Sequence, residues 1–324
     1  MRVVFFGTSA FAVPSLEQLA ERGHELVMCV TQPDRPRGRG LVSAPSPVKE
    51  AALRLHVPLA QPERPQAKLF ESLHPEIGVV AAYGQLIRKD LLELPPQGML
   101  GVHPSLLPKY RGAAPVAWAL LNGETTTGVT IFRLNERLDA GDMVVQQSVA
   151  IQPDEDTQAL TVRLARLGAE ALAAALEALA RGSAWCEPQD ESRASVAPKL
   201  SKAQGRIDWR APAERIERLV RATIPWPGAF TEWRGGSLKI LRARCGSSNA
   251  SGTVPGAVIR ISEDALTVAA GEGTVEVAEV QPAGRRRMSV KEFLAGHHVD
   301  VGDRFGAWGV GRGAGDGGGS ETRP

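Results

Sequence analysis

The first 150 residues alternate short apolar runs with amphipathic stretches, and that alternation limits the folds open to the chain. Val3 to Phe6 has the pattern of a buried strand, closed by Gly7. Pro14 to Glu21 has helical spacing, with Pro14 in the first turn and Gly23 beyond the end. Leu26 to Val30 predicts the next strand, and Ser46 to Leu55 a helix. Ile77 to Ala82, Met99 to Val102, Val129 to Phe132 and Met143 to Ala150 continue the strand series. Strands separated by helical stretches indicate βαβ units, so the expected class is α/β with a mostly parallel sheet. Asp154 to Arg181 is the longest helical pattern, with Asp156 as its N-cap and Gly182 at its end. Its apolar face can cover one side of the sheet.

The texture changes after Gly205. A helix over Pro212 to Ala222 precedes five short strand patterns: Ala229–Arg234, Leu238–Arg244, Ala257–Ile261, Ala265–Ala270 and Thr274–Gln281. Gly235-Gly236 between the first two is a hairpin signal, and the series predicts a small β-barrel. Ser289 with Glu292 three residues on forms a capping box that opens a last short helix. The polar stretch 183–205 reads as a connection, and GVGRGAGDGGGSETRP at the end cannot bury a core, so a disordered tail is expected. The organisation expected is a first domain over 1–188, a linker over 189–205, a second domain over 206–308 and a tail over 309–324.

Composition removes several classes. Hydrophobic residues make up 43% of the 324 and charged residues 23%, which argues against a disordered chain. No apolar run approaches the ~18 residues of a membrane span, and the apolar start of the chain is too short for a signal-peptide core. Cys29, Cys186 and Cys245 are far apart, with no CxxC and no His at ligand spacing. That argues against a disulfide framework and a metal site, and predicts a reducing, cytoplasmic setting. Residues 1–200 carry 20 Lys+Arg against 22 Asp+Glu, and residues 201–308 carry 16 against 12, so the second domain leans basic.

The first strand ends Gly7-Thr8-Ser9-Ala10-Phe11, which lacks both the GxGxxG dinucleotide pattern and a P-loop. Chemistry is therefore sought at other strand ends, where ligands of open α/β sheets bind. His103 stands at one, in MLGVHPSLLPKYRGAAP. A lone His after a strand is more often structural. Here, however, Pro104, Pro108 and Arg111-Gly112 make the following segment a turn-rich loop, which favours a chemical role. Asp139, in LDAGDM, is the best carboxylate partner; its neighbour Asp142 reads as a turn residue. A His held by an Asp is a general acid–base pair. No Ser or Cys stands out as a nucleophile, which favours direct transfer to an acceptor. Arg35, Arg37 and Arg39 lie in a Pro- and Gly-rich loop; such charges are usually only solvated, yet three Arg on a flexible arm can grip phosphate.

With these residues in view, the sequence resembles the methionyl-tRNA formyltransferases. The likeness is carried by GTSAF (7–11), TQPDRPRGRG (31–40), AAYG (81–84), HPSLLPKYRGAAP (103–115), GVTIFRLNERLDAGDM (128–143), KLSKAQGRIDW (199–209) and PWPGAF (225–230). It runs to about residue 308. The resemblance implies a Rossmann-like catalytic domain with an OB-like barrel. It implies formyl transfer from 10-formyltetrahydrofolate to the α-amine of methionyl initiator tRNA, without a metal, by a monomer that touches no membrane. His103 and Asp139 fall on the family's catalytic His and Asp. Ser105, Leu106, Leu107 and Pro108 fall on its folate-binding segment, with Tyr83 and Gly84 on the AAYG element. Arg39 falls on the loop Arg that engages the acceptor stem, with Arg37 beside it. Lys199 and Lys202 lie in the stretch that approaches tRNA, and Phe11 falls near the methionine pocket.

One position departs. Two residues before the His, the family carries an Asn that donates to the formyl oxygen; here it is Gly101. A missing oxyanion donor costs about 10²–10³ in rate. The expectation is a water-sized pocket beside His103, filled by water or by a side chain from elsewhere. Gly101 also leaves open a slow but sufficient enzyme, a paralogue with another acceptor, or an impaired tRNA-binding protein.

Overall fold

The computed structural model describes residues 1–37, 42–184, 186–248, 250 and 252–306. The chain divides into two compact units, Met1–Leu200 and Ser201–Pro324. The expected tail at 309–324 lies outside the described residues.

In the first unit, β1 (Arg2–Gly7), α1 (Val13–Glu21) and β2 (Glu25–Val30) form the opening βαβ turn. A short hairpin, β3 (Arg35–Arg37) with β4 (Val42–Ala44), occupies what reads from sequence as a long loop. Then come α2 (Pro47–Arg54), β5 (Leu59–Ala60), β6 (Ile77–Ala81), α3 (Lys89–Leu92), β7 (Met99–His103), α4 (Pro115–Leu121), β8 (Thr126–Arg133), β9 (Met143–Ala150) and α5 (Thr157–Ala180). The seven-stranded sheet runs β5-β2-β1-β6-β7-β8-β9. Its first five strands are parallel, and β8 and β9 extend it antiparallel.

Ser46 and Asp156 cap α2 and α5, their side chains accepting from Lys49 N and Ala159 N. The 24 residues of α5 span about 36 Å and bury Leu160, Leu164, Gly168, Leu172 and Leu176 at helical spacing. Gly168 has no room for a side chain: an added Cβ would fall 2.9 Å from Val102 Cγ1. The helix thus rests close on β7, one residue from His103.

The second unit holds α6 (Ala213–Ala222), β10 (Ala229–Trp233), β11 (Gly236–Gly246), β12 (Val258–Ile261), β13 (Leu266–Ala269), β14 (Thr274–Pro282), β15 (Met288–Ser289) and α7 (Val290–Gly296). Its strands form one antiparallel sheet, β10-β11-β14-β13-β12 with β15 on β14, consistent with an OB-like domain. Trp209, Ile216, Ile240, Leu266, Val277 and Phe293 are buried together at its centre. Ser289 and Glu292 make the expected capping box on α7. The β10–β11 turn sits one residue earlier than Gly235-Gly236. Trp233 pairs with Gly236, so Arg234 and Gly235 are the central residues, both with positive φ (47° and 76°). Arg234 is held there by Asp303 (3.0 Å) and by the Trp233 ring (4.9 Å).

Candidate active site

The carboxyl ends of β1, β2, β6 and β7 gather the loops that precede chemistry in such sheets. Thr8 N donates to Ala82 O (3.2 Å), while Thr8 Oγ1 and Gln32 Nε2 both donate to Tyr83 O (2.9 and 2.7 Å). Three strand-end loops are thereby tied into one rim. Gly84, at φ +79°, lets Gln32 approach; an added Cβ would fall 2.6 Å from its Nε2.

His103 ends β7 and is only 6% exposed. Its Nε2 lies 2.9 Å from Tyr110 O, and because a carbonyl can only accept, Nε2 carries the proton. Nδ1 faces Asp139 Oδ2 at 3.6 Å, an ion-pair distance rather than a hydrogen bond. Catalytic contacts in free enzymes are often long in this way and tighten around substrate. Asp139 sits at φ +50° in the turn between β8 and β9, and Oδ2 accepts from Gly112 N at 2.8 Å. The two residues that the sequence pairs are therefore brought together. Asp142 is exposed, and its carbonyl accepts from Arg133 N (2.8 Å), closing the end of the strand pair.

The loop after His103 is held from beneath. Thr130 Oγ1 donates to Ser105 O (2.8 Å) and accepts from Leu107 N (3.1 Å) and Gln146 Nε2 (3.0 Å), so its hydroxyl is fully used. Ser105 is buried, and its Oγ donates to Lys109 O (2.6 Å), which makes it a brace of the loop. Leu106, Leu107 and Pro108 line a cavity of about 410 Å³ with Tyr110, Gln146 and Arg193; Tyr83 and Gly84 are not in its lining. Tyr83 stands in the core, its ring 5.5 Å from that of Phe6, and burial pushes its hydroxyl up to about 12. Burial likewise pushes Tyr110 up to about 12.

The space at Gly101 corrects the expectation of a water-sized pocket. Gly101 pairs with Phe132 across the β7–β8 ladder, and the ring lies over the glycine. An added Cβ would fall 2.4 Å from Phe132 Cε1 and 2.8 Å from Leu134 Cδ1. Apolar atoms that can donate nothing fill the place where water was expected. The same ring meets His103 edge-on, 6.4 Å between centroids at 90°.

The remaining expected residues are scattered. Phe11 is buried in a 3-10 turn near Gly168 of α5. Lys199 and Lys202 are exposed, the first closing one unit and the second in the next. Arg37 ends β3, and Arg39 lies outside the described residues. The arm that carries them starts from a fixed point: Asp34 pairs with Lys49 (2.5 Å) and accepts from Gln61 (2.7 Å). The Lys49 hydrogen bond holds the Asp34 carboxyl below the usual range. Sequence reasoning missed Phe132 and the stretch 189–197. That stretch pairs Val196 with Arg111 and belongs to the first unit, although 189–205 was expected to be a linker.

Residues 1–176 match the family described as formyl transferase, and 199–298 match the formyl transferase C-terminal domain. The methionyl-tRNA formyltransferase of Roseiflexus sp. (strain RS-1) is 46% identical over 311 residues, covering 94% of this chain and 95% of that protein. Its namesake from Chloroflexus aurantiacus is 48% identical over 305 residues, covering 93% and 98%. Among solved structures, HypX from Aquifex aeolicus in complex with tetrahydrofolic acid shares the fold at TM-score 0.65 and 20% identity, over 93% of this chain and 50% of that one. The Helicobacter canadensis N-formyltransferase with folinic acid and dTDP-3-aminofucose does so at TM-score 0.67 and 15% identity, over 86% and 99%. Likeness to formyltransferases in both domains, at this identity and over nearly the whole length, places the chain in the methionyl-tRNA formyltransferase family.

Proposed function

We propose that the protein transfers a formyl group from 10-formyltetrahydrofolate to the α-amine of methionine on initiator tRNA. The observation that carries the reading is the buried His103 facing Asp139 at a strand end. It lies in a chain that aligns along nearly its whole length with methionyl-tRNA formyltransferases. Attack of the amine on the formyl carbon builds negative charge on the formyl oxygen. His103, whose ring nitrogens face Tyr110 O and Asp139 Oδ2, offsets that charge in its protonated form. Asp139 keeps the ring in place and accepts, through water, the proton that the amine sheds. The C–N bond to the folate then breaks, and the proton held by Asp139 passes through the same water to the departing folate nitrogen.

Leu106, Leu107 and Pro108 form the wall for the folate, with Ser105 bracing it and the Tyr83–Gly84 backbone at the rim. Arg37, Arg39, Lys199 and Lys202 are assigned to the tRNA, and Phe11 to the methionine pocket. The working form is a cytoplasmic monomer. The test supplies one formyl donor and three acceptors: methionyl initiator tRNA, an amino-sugar nucleotide and water. Turnover with the tRNA alone is expected; turnover with the sugar or with water only would replace this reading.

Arg39 gives a second expected result. Arg39→Ala raises the KM for tRNA and leaves folate binding intact. It also lowers the slope of log K against log salt by about 0.9, the share of one duplex phosphate. An unchanged slope and KM at low salt would remove the phosphate role from this arm.

A further inference from the structure

Behind the His103–Asp139 pair lies a buried residue with no assigned role. Gln189 is 9% exposed, and every polar atom of its amide is engaged. Its Oε1 accepts from Arg111 Nε (3.0 Å) and Arg111 Nη2 (2.7 Å). A guanidinium offers only donors, so the oxygen end of the amide must face Arg111. The NH₂ end therefore faces the β8–β9 turn, where it donates to Asp139 O (2.9 Å) and Gly141 O (2.7 Å). Those two carbonyls bracket the turn that holds Asp139 at positive φ. The turn has little slack, because an added Cβ on Gly141 would fall 1.7 Å from Arg133 O.

Arg111 is fixed in its turn. Its side chain is bound by Glu191 (3.0 Å), and its backbone exchanges bonds with Ser195 O (2.8 Å) and Ala197 N (2.7 Å). The Arg111 hydrogen bond also holds the Glu191 carboxyl below the usual range. The next residue, Gly112, donates its N–H to the Asp139 carboxylate. One rigid segment thus grips Asp139 twice: by its carboxylate directly, and by its backbone through Gln189.

We propose that Gln189 is a positioning residue for formyl transfer. It fixes the Asp139 turn so that the carboxylate faces His103. The inference rests on the transfer reading above. A carboxylate displaced by about 1 Å loses on the order of 10²-fold in rate.

The test is a double-mutant cycle on the full chain. Gln189→Glu keeps the shape and the Arg111 contact but places oxygen against two carbonyls. It is expected to lower kcat by about ten- to a hundredfold with the KM for folate within twofold and folding intact. In an Asp139→Asn background the same change is expected to cost less than threefold, because its effect runs through Asp139. Should Gln189→Glu not fold, Gln189→Met, which also removes both donors, is read by the same cycle. A kcat within twofold of the natural protein, or an equal loss in both backgrounds, would overturn the positioning role. Absence of transfer by the natural protein would instead overturn the reading on which it rests.

Discussion

Gly101→Asn lowers the stability of this protein and does not raise its rate of formyl transfer. Restoring the family's Asn is the natural repair for a site that lacks an oxyanion donor. The packing forbids it. The Cβ of any residue at 101 would overlap the Phe132 ring at 2.4 Å, and Phe132 is itself 4% exposed, with His103 on its edge. Overfilling a packed core costs about 1–3 kcal/mol. At about 2–4 °C per kcal/mol for units of this size, thermal unfolding falls by several degrees. The ring that yields is also the one beside His103, so on the proposed reading the rate falls with the stability. Gly101→Asn with Phe132→Ala recovers the space, and only that pair can test whether an amide at 101 helps. A rate gain from Gly101→Asn alone, at unchanged melting temperature, would show that the ring swings aside freely.

The second large effect belongs to the pair itself. His103→Ala removes the ionisable side chain that ends β7, with an expected loss of about 10²–10⁴ in kcat. Asp139→Asn keeps the size of the side chain and its acceptor for Gly112 N–H, but removes the charge that faces Nδ1. Its loss falls in the same range. Because the two act as one unit, the double variant is expected to be little slower than the worse single one. Additive losses would mean that Asp139 works independently of the ring.

The strand ends and the long helix were legible because local chemistry decides them. Asp156 as a cap, Gly182 as a stop and the period of Leu160, Leu164 and Leu172 need no tertiary knowledge. His103 and Asp139 were legible for a related reason: an ionisable residue at a strand end and an Asp in a tight turn. The direction of β8 was not. The stretch between β7 and β8 contains α4, and a helix can serve a parallel crossover or an antiparallel return equally well. The occupancy of the Gly101 site was hidden for the same kind of reason, since it depends on the register that sets Phe132 opposite. Gln189 carried no signal at all. A polar residue in a stretch rich in Pro, Ser and Glu reads as solvated until the fold brings Arg111 and the Asp139 turn to it. The turn at Arg234-Gly235 shifted by one because ladder register, rather than glycine preference, chose the central pair.

The most direct measurement of the central claim is single-turnover formyl transfer from 10-formyltetrahydrofolate to methionyl initiator tRNA by the natural protein and by His103→Ala, each shown to be folded. The account predicts formylmethionyl-tRNA from the natural protein and at least a hundredfold slower appearance with the variant. Equal rates from the two, or no product from the folded natural protein, would contradict it.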